Sequence, residues 1–176
     1  PKQNMRYIDN FSKIHNKVLD FYVDLPFNIY DSVDTAALKI KDNNALSAYP
    51  VLKDIIDKDQ VKNIIDIGSG GGWFLNSLSS LYPEKKMIGI DFNTVAVDYA
   101  NKVKSQLNLN NSFKKEDLFN MDYKESFDFV SSIGVLHHTP DCHLAIRKVS
   151  ELLKKDSYFF LGLYHKYGRE PFLKYF

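Results

Sequence analysis

The sequence of 176 residues predicts an α/β fold: a doubly wound, mostly parallel sheet of about five strands, preceded by a helical extension. Three observations predict it. From Asn63 onward, short Ile/Val/Phe-rich runs near 63–67, 86–90, 112–116, 127–132 and 157–163 alternate with segments of helical length. These runs lack a polar alternate face, which is the pattern of strands covered by helices on both sides and joined by right-handed crossovers. A glycine-rich turn, "IIDIGSGGGWF" at residues 64–74, follows the first run.

Each element has its own warrant. Within residues 5–24, Ile8, Phe11, Ile14, Val18, Phe21 and Tyr22 recur at helical spacing and form the apolar stripe of an amphipathic helix. "LPFNIYDS" breaks that pattern. Residues 34–41 and 50–58 read as two short helices, the second with Pro50 in its first turn, where a missing N–H costs no hydrogen bond. The chain therefore divides into a helical extension over 1–60 and an α/β core over 61–176. In the core, Leu75, Leu78 and Leu81 mark the helix after the first strand, and residues 95–107 form the next. Ala145, Val149, Leu152 and Leu153 mark a third, which starts at Thr139-Pro140 with Cys142 and His143 in its first turn.

Composition narrows the classes of function. With 44% hydrophobic and 26% charged residues the chain is that of a soluble globular protein. The formal net charge is +1 and the basic residues are scattered, so duplex nucleic acid finds no electrostatic footprint. No apolar run approaches the ~20 residues of a spanning helix, and the N-terminus lacks a signal-peptide core. The single Cys142 excludes an internal disulfide and suits a reducing cytoplasm. A start at Pro1 and the aromatic ending "REPFLKYF" suggest a cut from a longer protein, whose missing segment, or a second copy in a homodimer, covers the tail.

The glycines imply a ligand. In an open α/β sheet ligands bind beyond the C-terminal ends of the strands, and Gly68, Gly70, Gly71 and Gly72 sit at the first such end. They permit positive φ and let a ligand approach bare main chain. A dinucleotide fingerprint, G-x-G-x-x-G, needs its third glycine at position 73, and Trp73 stands there, which argues against nicotinamide and flavin. Gly68, Gly70 and Gly72 instead give G-x-G-x-G, preceded by Asp66. Asp91 closes the second strand, 19 residues past Gly72, where a carboxylate accepts hydrogen bonds from both hydroxyls of a ribose or caps the following helix. Asp117 ends the third strand, placed to meet an adenine amino group or to serve ordinary turn chemistry.

Taken together, "IIDIGSGGGWF", "IGIDFN" and "SFDFVSSIGVLHHTPD" resemble the class I S-adenosylmethionine-dependent methyltransferases over about residues 61–163. The resemblance implies a Rossmann-like fold and S-adenosyl-L-methionine as cofactor. It implies that Asp66, Gly68, Ser69 and Gly70 hold the amino-acid end of that cofactor and that Asp91 binds its ribose, with Phe92 beside the adenine. Asp117 and Leu118 then read the adenine edge, and Ile133 and Gly134 line the region near the methyl group. The resemblance makes the extension over 1–60 a lid. It implies a seven-stranded sheet, of which five strands are expected in this chain, so the acceptor half is the part the resemblance leaves open.

A sulfonium is stabilised by carboxylates and by aromatic faces, for which Tyr30, Tyr49 and Trp73 are candidates. His137, His138, Cys142 and His143 are residue types that bind zinc, but neighbours in a chain rarely converge on one metal, and no metal is expected. The turn after the fourth strand borders the transferable methyl, so His137 is the candidate base, with His138 and Tyr30 as acceptor contacts. The expected reaction is in-line transfer of methyl to a small or medium-sized acceptor. A tRNA- or RNA-modifying enzyme and a non-catalytic S-adenosylmethionine-binding module are the alternatives.

Overall fold

The first strand, β1 (Asn63–Ile67), sends alternate side chains to opposite faces, and both faces are covered. Ile64 packs with the buried Phe74, Leu75 and Leu78 on one side, while Ile65 and Ile67 pack with Ala145, Val149 and Leu152 on the other. Truncating any of these isoleucines to Ala is expected to cost about 2–5 kcal/mol, because none of the three has more than 1% exposure left.

The computed structural model describes residues 13, 17, 18, 20–22, 29–123 and 126–164. Most of the expected first helix and the whole aromatic ending lie outside these residues, although Lys13, Lys17, Val18, Asp20, Phe21 and Tyr22 are helical. Three helices precede the sheet: α1 (Val33–Asp42), α2 (Ala45–Ala48) and α3 (Lys53–Ile56), the last entered through a 3-10 turn at Pro50–Leu52. Then follow α4 (Trp73–Leu81), β2 (Lys86–Asp91), α5 (Thr94–Gln106), β3 (Ser112–Lys115), β4 (Phe127–Ile133), α6 (Cys142–Ser150) and β5 (Leu153–Gly162). Side-chain caps start the helices where the sequence offers them. Ser32, Asn44, Asn93 and Asp141 each accept a backbone N–H from the first turn.

All five strands are parallel, in the order β3-β2-β1-β4-β5. The order reverses between β1 and β4, so their C-terminal ends diverge into a crevice. Helices α4 and α5 cover one face and α6 the other, the doubly wound arrangement. Among the described residues no helix is long and apolar enough to cross a membrane.

Three boundaries differ from the sequence pattern. Residues 45–48 form a helix of their own, capped by Asn44. Residues 50–58 split into a 3-10 turn and a four-residue helix. The third core helix ends at Ser150, and Leu153 belongs to β5, which starts four residues earlier than its apolar run. Leu153 pairs with Phe127, and the register then shifts so that Phe129 meets Tyr158. The intervening bulge holds Asp156 at φ 60°, and Lys154 within it pairs with Asp128 at 2.8 Å. Lysines and an aspartate hid this part of the strand.

Candidate functional site

The turn after β1 is fixed by its main chain. Gly68 and Ser69 both donate to the carbonyl of Ile90, at 2.9 and 3.0 Å, which hangs the turn on the end of β2. Gly68 and Gly72 have φ of 71° and 78°. A Cβ on Gly68 would lie 2.5 Å from the Val135 methyls, and one on Gly72 would lie 2.7 Å from the Ala100 Cβ and 2.8 Å from the Phe113 ring. The close packing that a third glycine permits is thus made at Gly72, which leaves position 73 for an indole whose N–H donates to the Asn43 carbonyl at 3.2 Å.

Carboxylates ring this turn. Asp66 is 4% exposed and its Oδ1 accepts the Ser131 hydroxyl at 2.7 Å. Burial pushes its carboxyl up to about 7, aided by the nearby Asp91 charge and opposed by the Ser131 hydrogen bond. Asp91 accepts the Gly70 N–H on Oδ2 and the Asn93 N–H on Oδ1, both at 2.9 Å. Burial raises its pKa too, against the backbone N–H groups of Asn93, Gly70 and Phe92. With about four lone-pair sites on its two oxygens, the carboxylate still has capacity to accept a ligand hydroxyl beside these N–H groups. Asp117 lies two residues beyond β3 and accepts the Phe119 N–H at 2.9 Å and the Asn120 amide at 3.2 Å, so it also caps its own turn.

These groups open onto one cavity of about 440 Å³, within the range of small-molecule sites. Its walls include Asp66, Gly68, Ser69, Gly70, Asp91, Phe92, Asp117, Leu118, Ile133 and Gly134, so all ten residues singled out for the cofactor meet in one space. Among the described residues it is lined by four carboxylates, with Glu116 the fourth, and by no lysine or arginine. That donor set fits an adenosyl sulfonium: acceptors for hydroxyls and amines, negative charge for a cation, and aromatic faces.

A family model described as a methyltransferase domain matches residues 58–167, well over half of the chain. The chain belongs to the methyltransferase domain family. Its fold is that of the class I enzymes, which use S-adenosylmethionine. It is 30% identical over 112 residues to a ribosomal RNA small subunit methyltransferase G of Aster yellows witches'-broom phytoplasma, covering 62% of this chain and 51% of the relative. It is also 30% identical over 107 residues to a ubiquinone biosynthesis O-methyltransferase of Glaesserella parasuis, covering 57% and 44%. The chain spans about half the length of the curated relatives it matches. Coclaurine N-methyltransferase, solved with N-methylheliamine and S-adenosylhomocysteine, superposes with a TM-score of 0.64 at 15% identity over 89% of this chain and 52% of that one.

The methyltransferase domain treats its histidines unequally. His138 lines the cavity, and His137 is half-buried behind it, ring centroids 4.0 Å apart, with Tyr164 4.3 Å from His137. Tyr22 meets His138 edge-on at 5.8 Å, and the Asn93 amide donates to the Tyr22 carbonyl at 2.6 Å, which brings the N-terminal segment against the crevice. Cys142 and His143 open α6 behind its cap Asp141, with His143 exposed. No three His, Cys, Asp or Glu side chains among the described residues could hold a metal ion.

Tyr30 is not part of the cavity. It packs beside Ala36, Ile40 and Val103, where α1 crosses α5, and its N–H donates to the Tyr99 hydroxyl at 3.1 Å. Tyr49 and Trp73 do line the cavity, together with Phe74 and Phe160, whose rings stack at 6.5 Å and 18°. Sequence reasoning missed Phe160, which enters the site only through the register of β5. It also missed Asn93, whose helix-capping position was a signal that could have found it.

Proposed function

We propose that the chain catalyses transfer of a methyl group from S-adenosylmethionine to a small or medium-sized acceptor. The convergence of the bare glycine turn with Asp66, Asp91 and Asp117 in one cavity without lysine or arginine among the described residues carries this reading. When bound, S-adenosylmethionine supplies an electrophilic methyl group on a sulfonium. Asp66 and the main chain at Gly68, Ser69 and Gly70 would hold the amino-acid end, and the Asp91 carboxylate would accept from the ribose. Phe92 lies along the adenine, Asp117 and Leu118 read its edge, and Ile133 and Gly134 border the methyl. His138 faces the acceptor from the lining and takes up its proton, and His137, its ring tilted against that of His138 at 4.0 Å, holds it in place. Orientation and exclusion of water provide most of the acceleration, since the transfer needs no covalent intermediate.

Under the same reading, residues 1–60 form the lid and 61–176 the catalytic core, acting in the cytoplasm, where the single Cys142 stays reduced. A cavity lined by rings and carboxylates, without lysine or arginine among the described residues, favours a small acceptor over a polyanion. The test is calorimetric titration with S-adenosylhomocysteine, followed by transfer of labelled methyl to small phenols and amines, with ribosomal RNA as the competing acceptor. Micromolar binding and labelled small products are expected. Binding without transfer to any acceptor would favour a non-catalytic module, and labelled RNA whose yield falls steeply with salt would favour the RNA reading.

A further inference from the structure

One transverse row of the sheet reads Phe113, Gly89, Asp66, Ser131, Phe160, because each of these residues is paired in register with the next. Their side chains share the face covered by α4, where Phe160 stacks on Phe74. On one flank of Asp66 stands Gly89, whose missing side chain leaves its place to the Phe113 ring, since a Cβ there would lie 2.5 Å from that ring. On the other flank stands Ser131, fully buried, and its hydroxyl is the one donor to the Asp66 side chain among the described residues.

A hydroxyl has one proton, and Ser131 Oγ has two acceptors within reach: Asp66 Oδ1 at 2.7 Å and the Ile65 carbonyl at 3.4 Å. The first distance is that of a good O–H···O bond and the second is too long for one, so the proton points at Asp66. We propose that Ser131 is a positioning residue for cofactor capture, whose hydroxyl fixes Asp66 as an oriented carboxylate facing the cavity so that a cationic ligand meets an anion. The inference rests on the methyltransferase reading of the cavity. Among the described residues no other group donates a hydrogen bond to the Asp66 carboxylate. Asp91 at the end of β2 adds negative charge and opposes ionisation of Asp66, and Glu116 and Asp117 line the same cavity after β3. Tyr49, His138 and Tyr164 face the same space from the turn before Pro50, the turn after β4 and the end of β5.

The neighbouring Ser132 is an internal control. It is equally buried, but its hydroxyl donates to the Ile67 carbonyl at 3.1 Å, a purely structural bond. The experiment is calorimetric titration of the full chain with S-adenosylhomocysteine between pH 5.5 and 9, for the unaltered protein, Ser131→Ala, Ser132→Ala, Asp66→Asn and the Ser131→Ala/Asp66→Asn pair. Affinity of the unaltered protein is expected to rise with pH as Asp66 ionises. Ser131→Ala is expected to move that midpoint up by about one pH unit, which is about tenfold weaker binding below it. Ser132→Ala is expected to leave the midpoint in place, and Ser131→Ala should have no further effect once Asp66 is Asn. Ser131→Cys keeps the volume and weakens the donor, so it reports the same shift if the alanine variant does not fold. Superimposed profiles for the Ser131 variants and the unaltered protein, or an equal loss in the Asp66→Asn background, would overturn the role of Ser131 alone. Absence of any binding by the unaltered protein would overturn the methyltransferase reading and this role with it.

Discussion

The two sides of the crevice are built by different means. At the ends of β1 and β2 the main chain makes the site: Gly68 and Ser69 hang on the Ile90 carbonyl, and Asp91 ties down the N–H groups of Gly70 and Asn93. Beyond β4 a cluster of rings borders the crevice, as Tyr22, His137, His138 and Tyr164 lie against one another at 4.0 to 5.8 Å. Backbone geometry tolerates few side chains, whereas a ring cluster accepts many. A chain built this way keeps one ligand constant and lets the other vary.

That contrast is open to direct test. Gly68→Ala is expected to have the largest effect, because a Cβ there meets Val135 at 2.5 Å on a backbone at φ 71°. Left-handed strain of roughly 1–2 kcal/mol adds to overpacking of roughly 1–3 kcal/mol, so the turn should shift and S-adenosylhomocysteine binding should fall about thirtyfold or more in a calorimetric titration. Asp91→Ala frees the backbone N–H groups that it holds, those of Gly70 and Asn93 among them, as well as removing the ribose acceptor, and a loss of about ten- to a hundredfold is expected in the same measurement.

Asp66→Asn separates stability from binding. Its carboxyl titrates at about 7 in the fold and near its ordinary value of 3.8 when unfolded. The folded state therefore holds the proton more tightly, and the fold loses stability as pH rises between those values. Thermal melts of the ligand-free variant should match the unaltered protein below about pH 4 and exceed it by ~3 °C or more at pH 8, while affinity for S-adenosylhomocysteine loses its pH dependence. An unchanged melting temperature at pH 8 would mean that this carboxyl is not held protonated by burial.

The smallest effect on the cofactor is expected on the ring side. His138→Ala should raise the acceptor KM several-fold while the S-adenosylhomocysteine Kd stays within twofold. If cofactor affinity instead drops as far as with Asp91→Ala, the two sides are one unit and the contrast fails.

Most of the cofactor side was legible because its chemistry is local in sequence. The glycines, Asp66 and Asp91 each sit at the end of a strand whose apolar run announces it, and a strand end in an open parallel sheet is already a position in the crevice. The ring side was only half legible. His138 and His137 are adjacent in sequence and their rings touch at 4.0 Å in the 3-10 turn at Leu136–His138, yet only His138 lines the cavity, a difference that adjacency does not announce. Tyr30 carried the same local signal as Tyr49, but α1 draws it against Val103 and away from the crevice.

The alternation of strand and helix, the bare turn and the acids at the strand ends were determined by the sequence alone, because each depends on neighbours within a few residues. The placement of Ser131 and Phe160 beside Asp66, and the choice between two histidines, belong to the tertiary structure. They follow from strand register and helix packing, which couple residues dozens of positions apart and leave no local trace.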